Sequence, residues 1–271
     1  MGNTFNKIFI TGASTGIGRQ VALDYGKGGA ELWLLARSES KLTILADEIQ
    51  NAGGQAHTLV CDATDEPAFL KALGIAQEES GGFDLVIANA GWGGKMKYPG
   101  DKNIEVLNQV IDLNFRAATQ TLEFFAKFMV NAKHGHLVGV SSIAGFRGAP
   151  SAAAYSATKA ALITYLESLR FSVRPFGVFV TDIRPGFVRT PMTDSNVVPM
   201  PFLMDVDRAS QKIRRAIGRK RKRFTFPWQM AVILHLVKAA PDFLYDWVAA
   251  LTFGKEAVSG RTGKSESNTP V

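Results

Sequence analysis

Tyr155 and Lys159 stand four residues apart in AAYSATKAALITY, residues 153–165. That spacing puts both side chains on one face of a helix, one turn apart. A free tyrosine hydroxyl has a pKa of ~10, so one that trades protons near neutral pH needs its phenolate stabilised by roughly 3 units, or ~4 kcal/mol. An ammonium ~4 Å away at an effective dielectric of ~20 supplies about that much, and Lys159 is a charge at the right spacing. Taken alone, the pair also fits an exposed helical contact worth a few tenths of a kcal/mol. Ser142 ends the apolar run HGHLVGVSS and Asn114 sits in DLNF. Singly they read as a turn-capping serine and a helix-interior asparagine bonded to backbone.

A second group with chemical meaning is TGASTGIG, Thr11 to Gly18. Gly12 can adopt a backbone conformation that other residues resist, Gly16 lets a phosphate approach the main chain, and Gly18 lets a helix sit close to a sheet. Amides at the start of such a helix face an anion. A plain strand-turn-helix would look the same, so the surroundings decide.

Those surroundings alternate. The apolar runs KIFIT, ELWLLA, QAHTLVCD, FDLVIANAG, HGHLVGVSS and GVFVTDIRPG are separated by segments of helical period: Gly16–Gly28, Ser38–Ala52, Glu66–Ser80, Lys102–Ala132 and Ser151–Val173. The runs are too continuously apolar to have a wet face, which predicts parallel strands covered on both sides by helices. The expected fold is α/β, a Rossmann-like doubly wound sheet of about seven strands in one domain over residues 1–253. After Pro191 the alternation weakens, and residues 190–226 read as a substrate lid followed by a helix from Asp205 to Ile217 and an edge strand, RFTFP. Residues 227–253 read as a hydrophobic helical segment and 254–271 as a disordered tail.

The spacing T-G-x-x-x-G-x-G resembles the short-chain dehydrogenase/reductase family, and further matches follow down the chain. They are the NAG of Asn89, Ala90 and Gly91, Asn114, the serine pair Ser141 and Ser142, Tyr155 with Lys159, and PGFVRT from Pro185 to Thr190. The resemblance covers about residues 5 to 190. It implies a nicotinamide-dependent oxidoreductase in which Tyr155 is general acid or base, Lys159 bonds the nicotinamide ribose, Ser142 orients the substrate oxygen, and Asn114 holds a water for proton relay. The family's thirteen-residue interval before the tyrosine selects Ser142 over Ser141. It also implies cofactor contacts from Gly12, Ser14, Thr15, Gly16, Ile17, Gly18, Arg37, Asp62, Ala63, Asn89, Ala90, Gly91, Tyr155, Lys159, Pro185, Gly186, Val188 and Thr190. Substrate contacts fall to Ser142, Phe146, Tyr155 and Phe187. The positive ring of the oxidised cofactor would add to the stabilisation of the phenolate.

At the end of the second run, Ala36 and Arg37 stand where a carboxylate would repel a 2′-phosphate, and an arginine can pair with that phosphate. NADP(H) is therefore the expected cofactor, with NAD(H) as the alternative if Arg37 is merely solvated. Family members that prefer NADP often carry a basic residue in the glycine motif, where this chain has Ser14 and Thr15. Trp92, Phe146, Phe187, Met192, Met200, Phe202 and Met204 suggest a lipophilic carbonyl or alcohol as substrate. A cofactor-binding protein that no longer turns over is the reading from a different class.

The 271 residues are 46% hydrophobic and 20% charged, which excludes a fibre or a disordered chain. One cysteine, Cys61, and four scattered histidines exclude a disulfide framework and give no metal pattern. No charged leader precedes KIFI, so the expected setting is cytoplasmic. Nine basic residues and no acid lie from Arg208 to Arg223; without them the formal charge of +7 becomes −2. With the stretch that follows, this run suggests peripheral contact with an anionic membrane, Trp228, Phe243, Trp247 and Phe253 lying in the interface. The competing reading is a sheet-capping helix or a contact within a homodimer or homotetramer, the assemblies the family resemblance implies. No nucleic-acid reading motif accompanies the basic run.

Overall fold

The computed structural model describes residues 5–96, 100, 102–194 and 199–247. Seven strands form one parallel sheet in the order β3-β2-β1-β4-β5-β6-β7. They are β1 (Lys7–Thr11), β2 (Glu31–Ala36), β3 (Gln55–Val60), β4 (Leu85–Ala88), β5 (Gly135–Val140), β6 (Val178–Pro185) and β7 (Arg223–Phe226). The order reverses between β1 and β4, and that switch opens a crevice at the C-terminal ends of the strands.

Alternation along each strand explains the two covered faces. Ile8 and Ile10 of β1 point into one layer with α1 (Gly16–Gly26), α2 (Glu39–Asn51) and α8 (Val206–Gly218), while Phe9 between them points into the other. That second layer holds α3 (Glu66–Ser80), α5 (Ala117–Ala132) and α6 (Ala153–Val173). Both sets are apolar and almost wholly buried, so the inner strands read as unbroken apolar runs; β3 departs from the expected two covered faces, being an edge strand with most of its residues exposed.

Departures from the expected elements are local. The segment Lys102–Ala132 is not one regular helix: α4 (Asn103–Ile111) passes through a π-helical turn, Asp112–Arg116, before α5. The expected lid is partly pinned. After the short turn α7 (Pro191–Asp194), Met204 returns to form a parallel bridge with Val188, and its side chain joins the core. RFTFP forms the edge strand β7 beside β6. Trp228–Ala239 forms α9, and residues 242–247 are helical again. Phe253 and the expected tail 254–271 lie outside the described residues. Among the described residues no helix is long and apolar enough to cross a membrane.

One buried polar residue makes the fold sensitive to acid. His136 on β5 is 1% exposed, between the rings of Phe5 and Phe179. The Thr181 hydroxyl donates to Arg221 O at 2.6 Å, so the 2.8 Å contact from His136 Nε2 to that hydroxyl makes Nε2 the donor and leaves Nδ1 bare, without a partner. Burial, helped by the charge of Lys220, pushes the imidazole down to about 3. A base held neutral in the fold but protonated at ~6.5 when unfolded contributes stability that is complete above pH ~6.5 and is lost progressively as pH falls toward 3. His136→Gln keeps a donor and removes the titration. Urea unfolding at pH 7 and pH 5 should show a loss smaller by about 2 kcal/mol in the variant than in the wild type.

Candidate active site

The glycine loop is held from behind. Asn89 Nδ2 donates to the carbonyls of Thr11 and Gly12 at 3.1 Å each, and the Thr11 hydroxyl accepts from the amides of Asn89 and Ala90. A β-carbon on Gly12, which has φ +66°, would lie 2.7 Å from Ala90 Cα, and one on Gly18 would lie 2.4 Å from Gly12 O. Both glycines are thus required by the close approach of the loop after β4. Ser14 is buried in the loop, and Ile17 and Thr15 are partly exposed. Thr15 is the N-cap of α1 but makes no side-chain bond to its first amides, so these are left to face an anion.

At the end of β2, Arg37 lies 3.6 Å from Asp62, whose other oxygen accepts from the amide and hydroxyl of Thr64. Ala63 is buried beside it. On the other side of the crevice Pro185 ends β6, Gly186 follows it, Val188 is in the core, and the methyl of Thr190 lies 3.1 Å from where a β-carbon on Gly16 would stand.

The small residues of α6 have a visible purpose. A 3₁₀ turn, Ile143–Gly145, packs so tightly on the helix that a β-carbon on Gly145 would lie 2.8 Å from Ala160 N. Ser142 caps that turn, accepting from Ala144 N at 3.1 Å, and is also hydrogen-bonded to the Tyr155 hydroxyl. Lys159 is 4% exposed and its Nζ donates to Val140 O at 2.9 Å. Asn114 is fully buried by the π turn. Its Oδ1 accepts from Trp92 N at 2.7 Å, its Nδ2 donates to Trp92 O at 2.9 Å, and a β-carbon on Gly91 would sit between it and Lys159 Nζ. Both ends of the amide are thus engaged with the backbone after β4.

The electrostatics depart from the sequence expectation. Lys159 Nζ lies 5.7 Å from the centre of the Tyr155 ring. Loss of water raises the phenol above its ordinary value, and the lowering comes from the Ser142 hydrogen bond. Burial also brings Lys159 down to about 8, opposed by the negative charge of Asp182. The protein's own groups therefore do not lower the phenol as the helical spacing alone predicts, because desolvation acts on both partners.

Of the expected substrate contacts, Phe146 and Phe187 are partly exposed at the mouth, as is Trp92, while Met192 and Phe202 are exposed. Arg147 fastens the C-terminal segment to this rim. It donates to Ala240 O at 3.1 Å and to Asp242 at 2.7 Å, and its guanidinium lies 4.4 Å from the Tyr245 ring. The Tyr245 hydroxyl donates to Gly148 O.

These features place the glycine loop at the C-terminal ends of the strands, in the same crevice as a Ser-Tyr-Lys set. The family model for short chain dehydrogenases matches residues 6–199. The chain belongs to the short-chain dehydrogenase/reductase family. An uncharacterized oxidoreductase of Myxococcus xanthus is 41% identical over 249 residues, 91% of this chain and 97% of the relative. The 11-beta-hydroxysteroid dehydrogenase-like 2 of Arabidopsis thaliana is 31% identical, over 89% of this chain and 80% of that one. Among solved structures, a short-chain dehydrogenase of Sphingobium yanoikuyae in complex with NADPH superposes with a TM-score of 0.76 at 23% identity, covering 97% and 98% of the two chains. The protein is thus an NAD(P)-dependent short-chain oxidoreductase.

Within this short-chain oxidoreductase, the sequence reading missed Asp182 and Arg184. They alternate on β6, 3% and 5% exposed, and Arg184 Nε donates to Asp182 at 2.6 Å. Ser141, next to Ser142, donates to the other carboxylate oxygen at 2.5 Å, and Arg184 lies 5.3 Å from the Phe146 ring. The available signal was two opposite charges at i and i+2 in an otherwise apolar buried strand, which must share a face and pair. Asp182→Asn removes the charge and leaves Arg184 buried without a counter-ion, so it should cost about 3–5 kcal/mol in urea unfolding. It should also move the Lys159 titration, followed by ¹³C-lysine NMR and assigned with Lys159→Arg, to lower pH. Adding Arg184→Met should recover part of the stability.

Proposed function

We propose that this chain is an NADP(H)-dependent carbonyl reductase or alcohol dehydrogenase for a lipophilic substrate. The observation that carries the reading is the Tyr155 hydroxyl, bonded to Ser142 and backed by the buried Lys159, at a mouth lined by Trp92, Phe146 and Phe187. The nicotinamide cofactor supplies or accepts the hydride and, when oxidised, brings a positive ring that favours the phenolate. In the reductive direction Ser142 holds the carbonyl oxygen and Tyr155 gives that oxygen its proton; in the oxidative direction Tyr155 takes the proton from the alcohol. The Lys159 ammonium, anchored on Val140 O, reprotonates or relieves the phenolate. Asn114 keeps the backbone at Trp92 in place beside Lys159. The Arabidopsis relative carries a hydroxysteroid in its name, a bulky apolar alcohol in keeping with this lining.

The preference for NADP(H) is supported by Arg37. Its pairing with Asp62 is long, 3.6 Å, and partly exposed, so the guanidinium is able to re-pair with a 2′-phosphate at little cost. No carboxylate follows β2 at that position to repel the phosphate.

Two measurements test the proposal. Over a panel of apolar ketones, aldehydes and alcohols read at the nicotinamide absorbance, Tyr155→Phe should lose about 10²–10⁴-fold in kcat while still quenching its fluorescence with NADPH. NADPH binding without turnover of any panel member by the wild type would favour a silent cofactor-binding protein. Arg37→Ala should reduce kcat/KM for NADPH by about 10–100-fold and leave that for NADH within a few-fold. Equal losses with both cofactors would assign the adenosine pocket a different phosphate partner.

A further inference from the structure

The basic run from Arg208 to Arg223 has no part in the cleft, and the fold gives it neighbours that are distant in sequence. The last turn of α6, the 3₁₀ turn Arg174–Phe176, the start of β6 and the turn between α8 and β7 meet at the N-terminal edge of the sheet. Lys220 Nζ lies 4.0 Å from the Phe179 ring, and Arg221 O accepts from the Thr181 hydroxyl of β6. The guanidinium of Arg170 stacks 4.7 Å from Phe171. Lys133 reaches the same edge, its carbonyl 2.6 Å from where a β-carbon on Gly177 would stand. Three phenylalanines are open to solvent there: Phe171 is 66% exposed, Phe176 47% and Phe179 42%. Lys133, Arg174, Lys220, Arg221 and Lys222 are exposed around them, and none makes an ion pair among the described residues.

We propose that this edge is a docking face for an anionic lipid bilayer. Exposed phenylalanines scattered singly need no partner. Three on the successive elements that end α6 and begin β6, with cations stacked on two of them, reproduce the surface that interfacial helices present, with rings below the headgroups and ammonium and guanidinium groups among the phosphates. Charge complementarity selects the lipid: the patch is cationic, and the acid beside it, Glu167, is paired with Arg170 at 3.4 Å.

The other apolar surface, with Trp228, Phe243 and Trp247, does not share this face. α9 leaves the C-terminal end of β7 and touches the 3₁₀ turn after Ser142, whereas the basic run ends where β7 begins, about 10 Å away along that four-residue strand. That surface also carries Asp242 and Asp246, which do not complement anionic lipid. The sequence reading joined the basic run to those aromatics; the topology joins it to Phe171, Phe176 and Phe179 instead.

The test is co-sedimentation of the full chain with vesicles of phosphatidylcholine, with and without one part in three of phosphatidylserine. The wild type should pellet only with the anionic vesicles, and less as salt rises. Each basic residue near such a surface is worth about fivefold in partitioning. The triple variant Lys220→Ser, Arg221→Ser, Lys222→Ser should therefore bind about 100-fold more weakly, and Phe171→Ser with Phe176→Ser at least about tenfold. Trp228→Ser with Phe243→Ser should bind as the wild type does. Unchanged NADPH quenching and melting temperature will show that the variants are folded. Negligible sedimentation of the wild type would overturn the proposal. So would loss of binding only in the Trp228 and Phe243 variant, or an oligonucleotide that binds the patch and displaces the vesicles.

Discussion

A buried ammonium is the constraint around which this molecule is organised. Lys159 has left water almost completely, and a charge in that position is tolerated only where oxygen atoms and counter-charges replace its hydration. Val140 O supplies the direct hydrogen bond and Asp182 the opposing charge. Both requirements fix backbone. The bond ties α6 to the end of β5, and Asp182, through Ser141, ties β6 to the residue beside Ser142. The packing of Gly145 on Ala160 then closes the angle between strand and helix, and that angle decides whether the Tyr155 hydroxyl can meet Ser142. The same burial that makes Lys159 a sensitive group raises the phenol beside it. Loss of water at this site thus favours the neutral phenol, against the pull of the Ser142 hydrogen bond.

Much of this was legible in the sequence for a physical reason. A strand covered on both faces has no wet side, so the inner strands β1, β2, β4, β5 and β6 are marked by apolar runs, while the edge strand β3 is largely exposed, and the glycine loop is marked because Gly12 and Gly18 exclude side chains outright. The π turn was not legible. It exists because the Asn114 amide bonds both backbone groups of Trp92, 22 residues away, and no local propensity encodes that contact. The sign of the shift at Tyr155 was also out of reach: spacing names the nearest charge, but the loss of water depends on what the whole fold places around the hydroxyl. Asp182 and Arg184 fall between these cases, since their alternation on a buried strand was sufficient to pair them.

The basic run shows a different limit. Sequence neighbourhood coupled Arg219–Arg223 to the aromatics that follow them, and a short parallel strand intervened. Each strand of a parallel sheet runs the same way, so residues on either side of β7 finish at opposite ends of that strand, about 10 Å apart, with the earlier ones toward the start of β6. Sidedness in such a fold is read from which end of a strand a residue adjoins, and sequence distance misleads when the intervening element is a strand.

That sidedness also separates two kinds of constraint. All the chemistry lies at the C-terminal edge, where the order of strands reverses and helix starts converge. Loops at the N-terminal edge carry none of the Ser-Tyr-Lys set, but the end of the basic run is not remote from it: Asp182 N donates to Lys222 O, and the charge of Arg223 acts on the Asp182 carboxylate. A bilayer held at that edge would leave the cleft opening away from the lipid. The exposed apolar side of α9 belongs to the opposite end of β7, the side on which Arg147 fastens the segment that follows the helix.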